Sequence, residues 1–244
     1  MIGWTTAFIN LPDGDLDESA AFWEAVTGYT RSASRGRNGE FSTLEPPEGS
    51  AYLQVQEAGS GQSRIHIDLH VDDVDASADR AVALGARQLH RADFVCLLSP
   101  GGLQFCLVSG GGGTVPPAMH WPDGTSSMVN QVTIDIPASI WVEETAFWSS
   151  LTDWPYHNRT NEDFRVLHAD PGFALRLLMQ RDAKLRRVAA HLDVGATSRN
   201  AEVIRHIELG AAEIEELDGW SRMIDPSGVP YCITDRDPLT GRLG

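Results

Sequence analysis

Cysteine, lysine and long apolar runs are what this 244-residue chain has least of. Three cysteines, Cys96, Cys106 and Cys232, are an odd number without framework-like spacing, which argues against a disulfide scaffold and for a reducing compartment. No stretch approaches the roughly 18 apolar residues of a membrane span, and no basic start leads into an apolar run. The expected protein is therefore soluble and cytoplasmic. Basic side chains are also scarce, 19 against 34 acidic, for a net charge of −15. The deficit is shared, since residues 1–125 carry 16 acids and 7 bases and residues 126–244 carry 18 and 12. Such a field repels polyanions, so nucleic acid is a poor partner. Paired catalytic carboxylates and a Ser-His-Asp order are missing too, and Gly110–Gly113 lacks the Lys-Ser/Thr end of a phosphate-binding loop. The sequence assigns no catalytic residue.

What the chain does have is a repeat about 125 residues long. Phe22-Trp23 returns as Phe147-Trp148, Thr27 as Thr152, His66 as His191, Asp68 as Asp193, and Leu84-Gly85-Ala86 as Leu209-Gly210-Ala211. Pro100, Gly102 and Cys106 return one residue later as Pro226, Gly228 and Cys232. A period this long, used twice, indicates duplicated domains and not a solenoid. The expected organisation is a module over 1–109, a Gly/Pro-rich linker over 110–127, a second module over 128–235 and a polar tail over 236–244. Met119 and Trp121 are expected to clamp the linker onto a domain.

Each half carries two helix signals. Asp15 or Asp17 can cap a helix with the stripe Leu16, Ala20, Trp23 and Val26, stopped by Gly28, and its twin runs from about Ile140 to Thr152. A second helix begins near Asp73 with the stripe Val74, Ala78, Ala81 and Val82, and its twin from about Ser198 carries Val203, Ile204 and Ile207. Alternating runs at 5–10, 41–45, 52–56, 64–71, 94–98 and 103–108 read as strands. The order is strand, helix and three strands, four times over.

Successive strand side chains point to opposite faces. In 64–71, Ile65, Ile67, Leu69 and Val71 therefore oppose His66, Asp68 and His70. Thr6, Phe8 and Asn10 share the polar face of the first strand, as do Cys106 on the last and Gln131, Thr133, Asp135, His191, Asp193 and Cys232 in the second half. This face is rich in ligating and hydrogen-bonding groups, which suits a pocket lining. The expected ligand-binding set is Thr6, Phe8, His66, Asp68, His70, Cys106, Gln131, Asp135, His191, Asp193 and Cys232, with the aliphatic face under the helices. Packing remains the alternative for both Cys106 and Cys232, and Cys96 reads as core. Phe22-Trp23 and its twin read as core, Trp4 and Phe8 as stacking residues, and Arg31, Arg35 and Arg37 as a solvated loop or an anion grip.

These residues, Phe22-Trp23 with Thr27-Gly28, Ile65–Val71 followed by Asp72-Asp73-Val74-Asp75, Leu84-Gly85-Ala86 and Ser99-Pro100-Gly101-Gly102, resemble the vicinal oxygen chelate superfamily, which groups glyoxalases, bleomycin-resistance-type binders and extradiol dioxygenases. The resemblance implies an α+β fold of two tandem modules, each of paired βαβββ units forming a cupped sheet. It implies metal ligands on the first, fifth and last strands, typically His or Gln, His, and Glu. Carried over, these are Thr6, His66 and Cys106 in one half and Gln131, His191 and Cys232 in the other. Neither half has the Glu. The expected function is therefore binding of a drug or metabolite in the cup without a strong metal site. The alternatives are a metal-dependent lyase, isomerase or dioxygenase with Gln131, His191 and Cys232 around a divalent ion, zinc being most compatible, and a structural or protein-interaction module. The expected partners are a small molecule and, as a candidate, a second copy of the chain.

Overall fold

The computed structural model describes residues 1–11, 14, 16–58, 64–158, 162–167 and 172–242. Four strand-helix-strand-strand-strand units follow one another along the chain. The first is β1 (Ile2–Leu11), α1 (Leu16–Thr27), β2 (Thr30–Arg31), β3 (Phe41–Glu45) and β4 (Leu53–Glu57), and the second is β5 (Arg64–Val71), α2 (Val74–Ala83), β6 (Arg87–Arg91), β7 (Val95–Leu98) and β8 (Gln104–Ser109). After the short β9 (Met119–His120) come β10 (Ser126–Pro137), α3 (Trp141–Thr152), β11 (Tyr156–Asn158), β12 (Phe164–Leu167) and β13 (Arg176–Asp182), then β14 (Ala189–Ala196), α4 (Arg199–Glu208), β15 (Ala212–Leu217), β16 (Trp220–Ile224) and β17 (Pro230–Thr234).

The first two units make one sheet in the order β2-β3-β4-β1-β5-β8-β7-β6, and the last two repeat it as β11-β12-β13-β10-β14-β17-β16-β15, with β9 added on β10. Both sheets are mixed. β5 pairs β8 in parallel and β14 pairs β17 in parallel, while the outer hairpins are antiparallel. The α+β fold with a duplicated sheet is thus as the sequence predicts. β9 and the start of β10 lie inside the segment predicted as linker.

The compact packing units cut across the sequence repeat. One comprises Met1–Ala7, His66–Thr114 and Val132–Ala190, and the other Phe8–Ile65, Val115–Gln131 and His191–Gly244. In the first, Phe105 of β8 packs on Phe147 and Trp148 of α3, with ring centroids at 5.8 and 5.3 Å. In the second, Tyr231 of β17 packs on Phe22 and Trp23 of α1, at 6.0 and 5.2 Å. Phe105 and Tyr231 are repeat twins, so each Phe-Trp pair is buried against the other half's last strand. Trp23 and Trp148 are fully buried, as the sequence predicts.

The helix ends show how the halves diverge. Gly28 closes α1 at φ 67°, a left-handed conformation that glycine adopts without steric cost, and a Cβ there would lie 2.7 Å from Met119 Cε. Its twin Asp153 closes α3 at φ 59°, and Asp is among the few side chains that tolerate this region. Arg80 of α2 bonds both Asp153 carboxylate oxygens and the Ser150 carbonyl of α3. Its twin, Arg205 of α4, donates to the Ala25 and Val26 carbonyls of α1 at 2.9 and 2.8 Å and stacks on Trp121, 3.7 Å from the ring centre. Each arginine satisfies carbonyls that a helix end leaves without partners.

Several expectations need correction. Asp17 lies in the first turn of α1 and not at its cap, and Asp15 lies outside the described residues. Val82, Ile204 and Ile207 are exposed, at 47, 59 and 47%. Instead α4 buries Glu202, Val203 and His206, because His206 is held between Glu202 (3.0 Å) and the Tyr231 hydroxyl (2.9 Å) and needs no apolar substitute. Trp4 is buried and stacks on Phe173 at 6.3 Å. Arg31 is committed to Asp17 and Ser42, and Arg35 to Thr43 and the Phe41 ring. No helix among the described residues is long and apolar enough to cross a membrane.

Candidate metal centre

The polar faces of β5, β8, β14 and β17 gather the predicted residues into two equivalent clusters because parallel pairing sets the register: Asp68 lies opposite Cys106, and Asp193 opposite Cys232. The histidine two residues before each aspartate points the same way. His66, Asp68 and Cys106 form one group, and His191, Asp193 and Cys232 the other, with the candidate ligand atoms of each group within 4.8 Å of one another.

In the second group, His191 Nε2 is 3.2 Å from Asp193 Oδ1 and 3.4 Å from Cys232 Sγ. Gln131 donates its side-chain amide to the other Asp193 oxygen. Gln131, Asp193 and Cys232 are buried, and His191 is nearly so. The amide therefore stands behind the carboxylate, a position from which it fixes the direction of Asp193. Cys232 remains a thiol.

A tetrahedral cation with N, O and S bonds of about 2.0–2.3 Å separates neighbouring donors by about 3.3–3.6 Å. The spacings of 3.2 and 3.4 Å in the His191 group are close to that, and the donor set of imidazole, carboxylate and thiol is one that zinc accepts. The residues of the second sheet fit such an ion.

In the first group, His66 Nε2 is 3.3 Å from Asp68 Oδ1, with His66 buried. Thr6 Oγ1 bonds His70 Nε2 at 2.9 Å, and burial lowers the His70 pKa against the raising effect of the Asp68 charge. Cys106, however, is joined to Cys96 in a disulfide, contrary to the expectation that Cys96 is simply core. Proximity alone would count Cys106 among the ligands, but a disulfide sulfur has no thiolate to offer, so the bonding state decides and the group as it stands does not fit zinc. The cross-strand register Cys96↔Cys106 is the reason for the pairing. The signal was available, since the two cysteines lie in the predicted strands 94–98 and 103–108 and are equidistant from Gly101 between them.

Phe8 is half-buried on β1 and Asp135 half-buried on β10, and neither belongs to a cluster of candidate ligands. A cavity of about 680 Å³ lies on the opposite, aliphatic face, lined by Leu69, Val71 and Leu107 together with Arg80, Trp154 and Phe173.

The glyoxalase-like domain model matches residues 9–108 and again residues 131–234. The chain belongs to the glyoxalase-like domain family. Among solved structures, this tandem glyoxalase-like protein is similar to the Mn(II)-bound glyoxalase from Novosphingobium aromaticivorans, at 15% identity and a TM-score of 0.69, covering 96% of this chain and 82% of that one. It is similar to 2,2',3-trihydroxybiphenyl 1,2-dioxygenase from Sphingomonas wittichii strain RW1, at 13% identity and 0.61, covering 96 and 89%. It is also similar to an extradiol ring-cleaving dioxygenase from B. fuscum, at 14% and 0.61, covering 99 and 74%. At these identities the likeness is one of fold, that of the vicinal oxygen chelate superfamily. No curated protein matches the chain significantly.

Proposed function

We propose that this glyoxalase-like protein acts on a small oxygen-bearing molecule at its second sheet, with a zinc-type divalent cation held by His191, Asp193 and Cys232. The observation that carries this reading is the spacing of three chemically different donors, 3.2 Å from imidazole to carboxylate and 3.4 Å from imidazole to thiol. On sequence alone, the missing last-strand Glu weighs against a cation. Asp193 answers that objection, because it sets an anionic oxygen beside Cys232 from the neighbouring strand.

When bound, such an ion supplies Lewis acidity to the oxygens of a ligand. Because zinc has no redox chemistry of its own, the reading favours a lyase or isomerase over an oxygen-activating enzyme. The chain's own residues hold and orient. Gln131 fixes the Asp193 carboxylate, and burial of Asp193 and Cys232 keeps water away and strengthens the local electrostatics.

A second reading, an ion-free binder, is favoured by the contacts that the four side chains already make with one another, Gln131 with Asp193 and His191 with Cys232. Metal analysis of protein purified without chelator separates the two. About one zinc per chain, lost in both His191→Ala and Cys232→Ala while the fold is kept, is the expected result. Metal-free protein that still binds small ligands would establish the binder instead.

A further inference from the structure

Within the compact unit that contains Arg205, the Trp121 indole lies on the Arg205 guanidinium, whose central carbon is 3.7 Å from the ring centre, and donates its N–H to Ser127 at 2.9 Å. The same ring comes up against Gly28, where a Cβ would lie 3.4 Å from Trp121 Cη2. Ser127, Arg205 and Gly28 thus form a seat for an indole. Their repeat twins in the other unit are Ile2, Arg80 and Asp153. All three line the cavity of about 680 Å³, together with Leu107, Trp154 and Phe173. The place that holds an aromatic ring in one unit is a cavity in the other, with a volume in the range of small-molecule pockets, about 300–1,000 Å³. It lies away from the second-sheet centre, on the aliphatic face of β5 and β8.

The two seats differ in charge. Arg205 gives its Nε–H to Glu202 Oε2 at 3.2 Å, whereas the twin of Glu202 is Ser77, which also lines the cavity. Arg80 spends its Nη groups on Asp153 and the Ser150 carbonyl, and its Nε–H has no hydrogen-bond partner among the described residues. A guanidinium stacks on aromatic faces and bonds carboxylates in its own plane. We infer that the cavity binds an aromatic acid of the arylacetate type. Its ring lies on Arg80 as Trp121 lies on Arg205, and its carboxylate takes the Nε–H beside Ser77 as Glu202 does in the twin. Stacking and in-plane bonding point in perpendicular directions, so the carboxylate has to sit on a short flexible arm. Asp153 does not close the site to this second carboxylate, because its side chain is 71% accessible and its charge is screened by solvent.

Fluorescence titration of the full-length protein with 1-naphthylacetate tests this. The expected result is saturable binding of about one probe per chain, with the neutral 1-naphthylacetamide bound at least about tenfold more weakly for want of a charge-assisted hydrogen bond. Ser77→Glu supplies the carboxylate that Glu202 supplies to Arg205, and Arg80→Gln removes the guanidinium. Each should weaken 1-naphthylacetate binding by at least about tenfold. Both side chains are on α2 and neither is buried, so far-UV circular dichroism should show the fold kept, and Ser77→Glu decides the matter alone if Arg80→Gln does not fold. The titration is run with a chelator and again with added zinc. Equal affinity in the two separates this site from the second-sheet centre, whether or not that centre takes an ion. No saturable binding, equal affinity for acid and amide, a folded Ser77→Glu protein that binds like the wild type, or binding that requires zinc would each overturn the inference.

Discussion

Trp23 donates its indole N–H to Asp225 at 3.0 Å across 202 residues of sequence, while its repeat twin Trp148 donates to Glu144 of its own helix at 2.8 Å. The helix position equivalent to Glu144 is Ser19, which also bonds Asp225, at 3.4 Å. Each compact unit therefore keeps one buried carboxylate for its tryptophan. In one unit the turn before the last strand supplies it, in the other the helix does. Burial raises the pKa of both carboxyls, with the hydrogen bonds working in the opposite direction.

Trp23→Phe should preserve the ring packing and remove the donor. Asp225 would keep Val229 N–H and Ser19 as partners. We expect a loss of about 1–3 kcal/mol, the cost of leaving a buried charged acceptor with fewer donors, measured as a shift in the urea midpoint at neutral pH. Because a carboxyl with a raised folded pKa favours folding most when protonated, the deficit should shrink as pH falls toward 3.8. A deficit that grows on acidification would contradict this account.

Glu202 behaves in the opposite sense. Burial alone would raise its carboxyl, but the hydrogen bonds and charges of His206 and Arg205 outweigh that and bring it down to about 2 from 4.5. Its stabilisation is present above pH 4.5 and is lost as pH falls through about 2. The shift corresponds to roughly 3 kcal/mol. Glu202→Gln should be less stable at neutral pH and should show a flatter stability profile between those two values, as read by denaturant midpoints across the range.

The twin arginines should differ in importance. Arg205 is mostly buried, whereas Arg80 and Asp153 are largely exposed, with side chains 46 and 71% accessible. Arg205→Ala should cost about 1–3 kcal/mol through two helix-end carbonyls and a buried carboxylate left short of donors. Arg80→Ala should cost no more than about 1 kcal/mol, in the range of solvent-screened pairs. Thermal melts of the two variants side by side test the order.

Gln131 reaches the second-sheet centre through Asp193. If that centre holds an ion as proposed, Gln131→Ala should leave the stoichiometry intact and weaken zinc binding by about 10–100-fold, as loss of an outer partner does. Unchanged affinity in a chelator competition would show that the amide does not orient the carboxylate.

Much of the architecture was legible because the signals are local. The spacing of Leu16, Ala20, Trp23 and Val26 gives a helix wherever it occurs, and the alternation in 64–71 separates His66, Asp68 and His70 from the aliphatics before any partner is known. The helix faces of α4 were harder to read. Ile204 and Ile207 look like core by composition, yet Glu202 and His206 are buried because Arg205 of the same helix bonds Glu202 and Tyr231, 25 residues further along the chain, bonds His206.

The repeat, the strand faces and the candidate residues of both clusters were determined by sequence alone, since duplication and period-two alternation are properties of the chain itself. Tertiary structure decided which half covers which. Phe105 packs on Trp148 and Tyr231 on Trp23, because an amphipathic helix is buried by whatever apolar surface the fold brings to it, not by its sequence neighbours. Tertiary structure also decided the chemistry of the two sites. Inter-strand register alone puts Cys96 opposite Cys106 and Arg222 opposite Cys232, and that one difference leaves a disulfide in one sheet and a thiol beside His191 in the other.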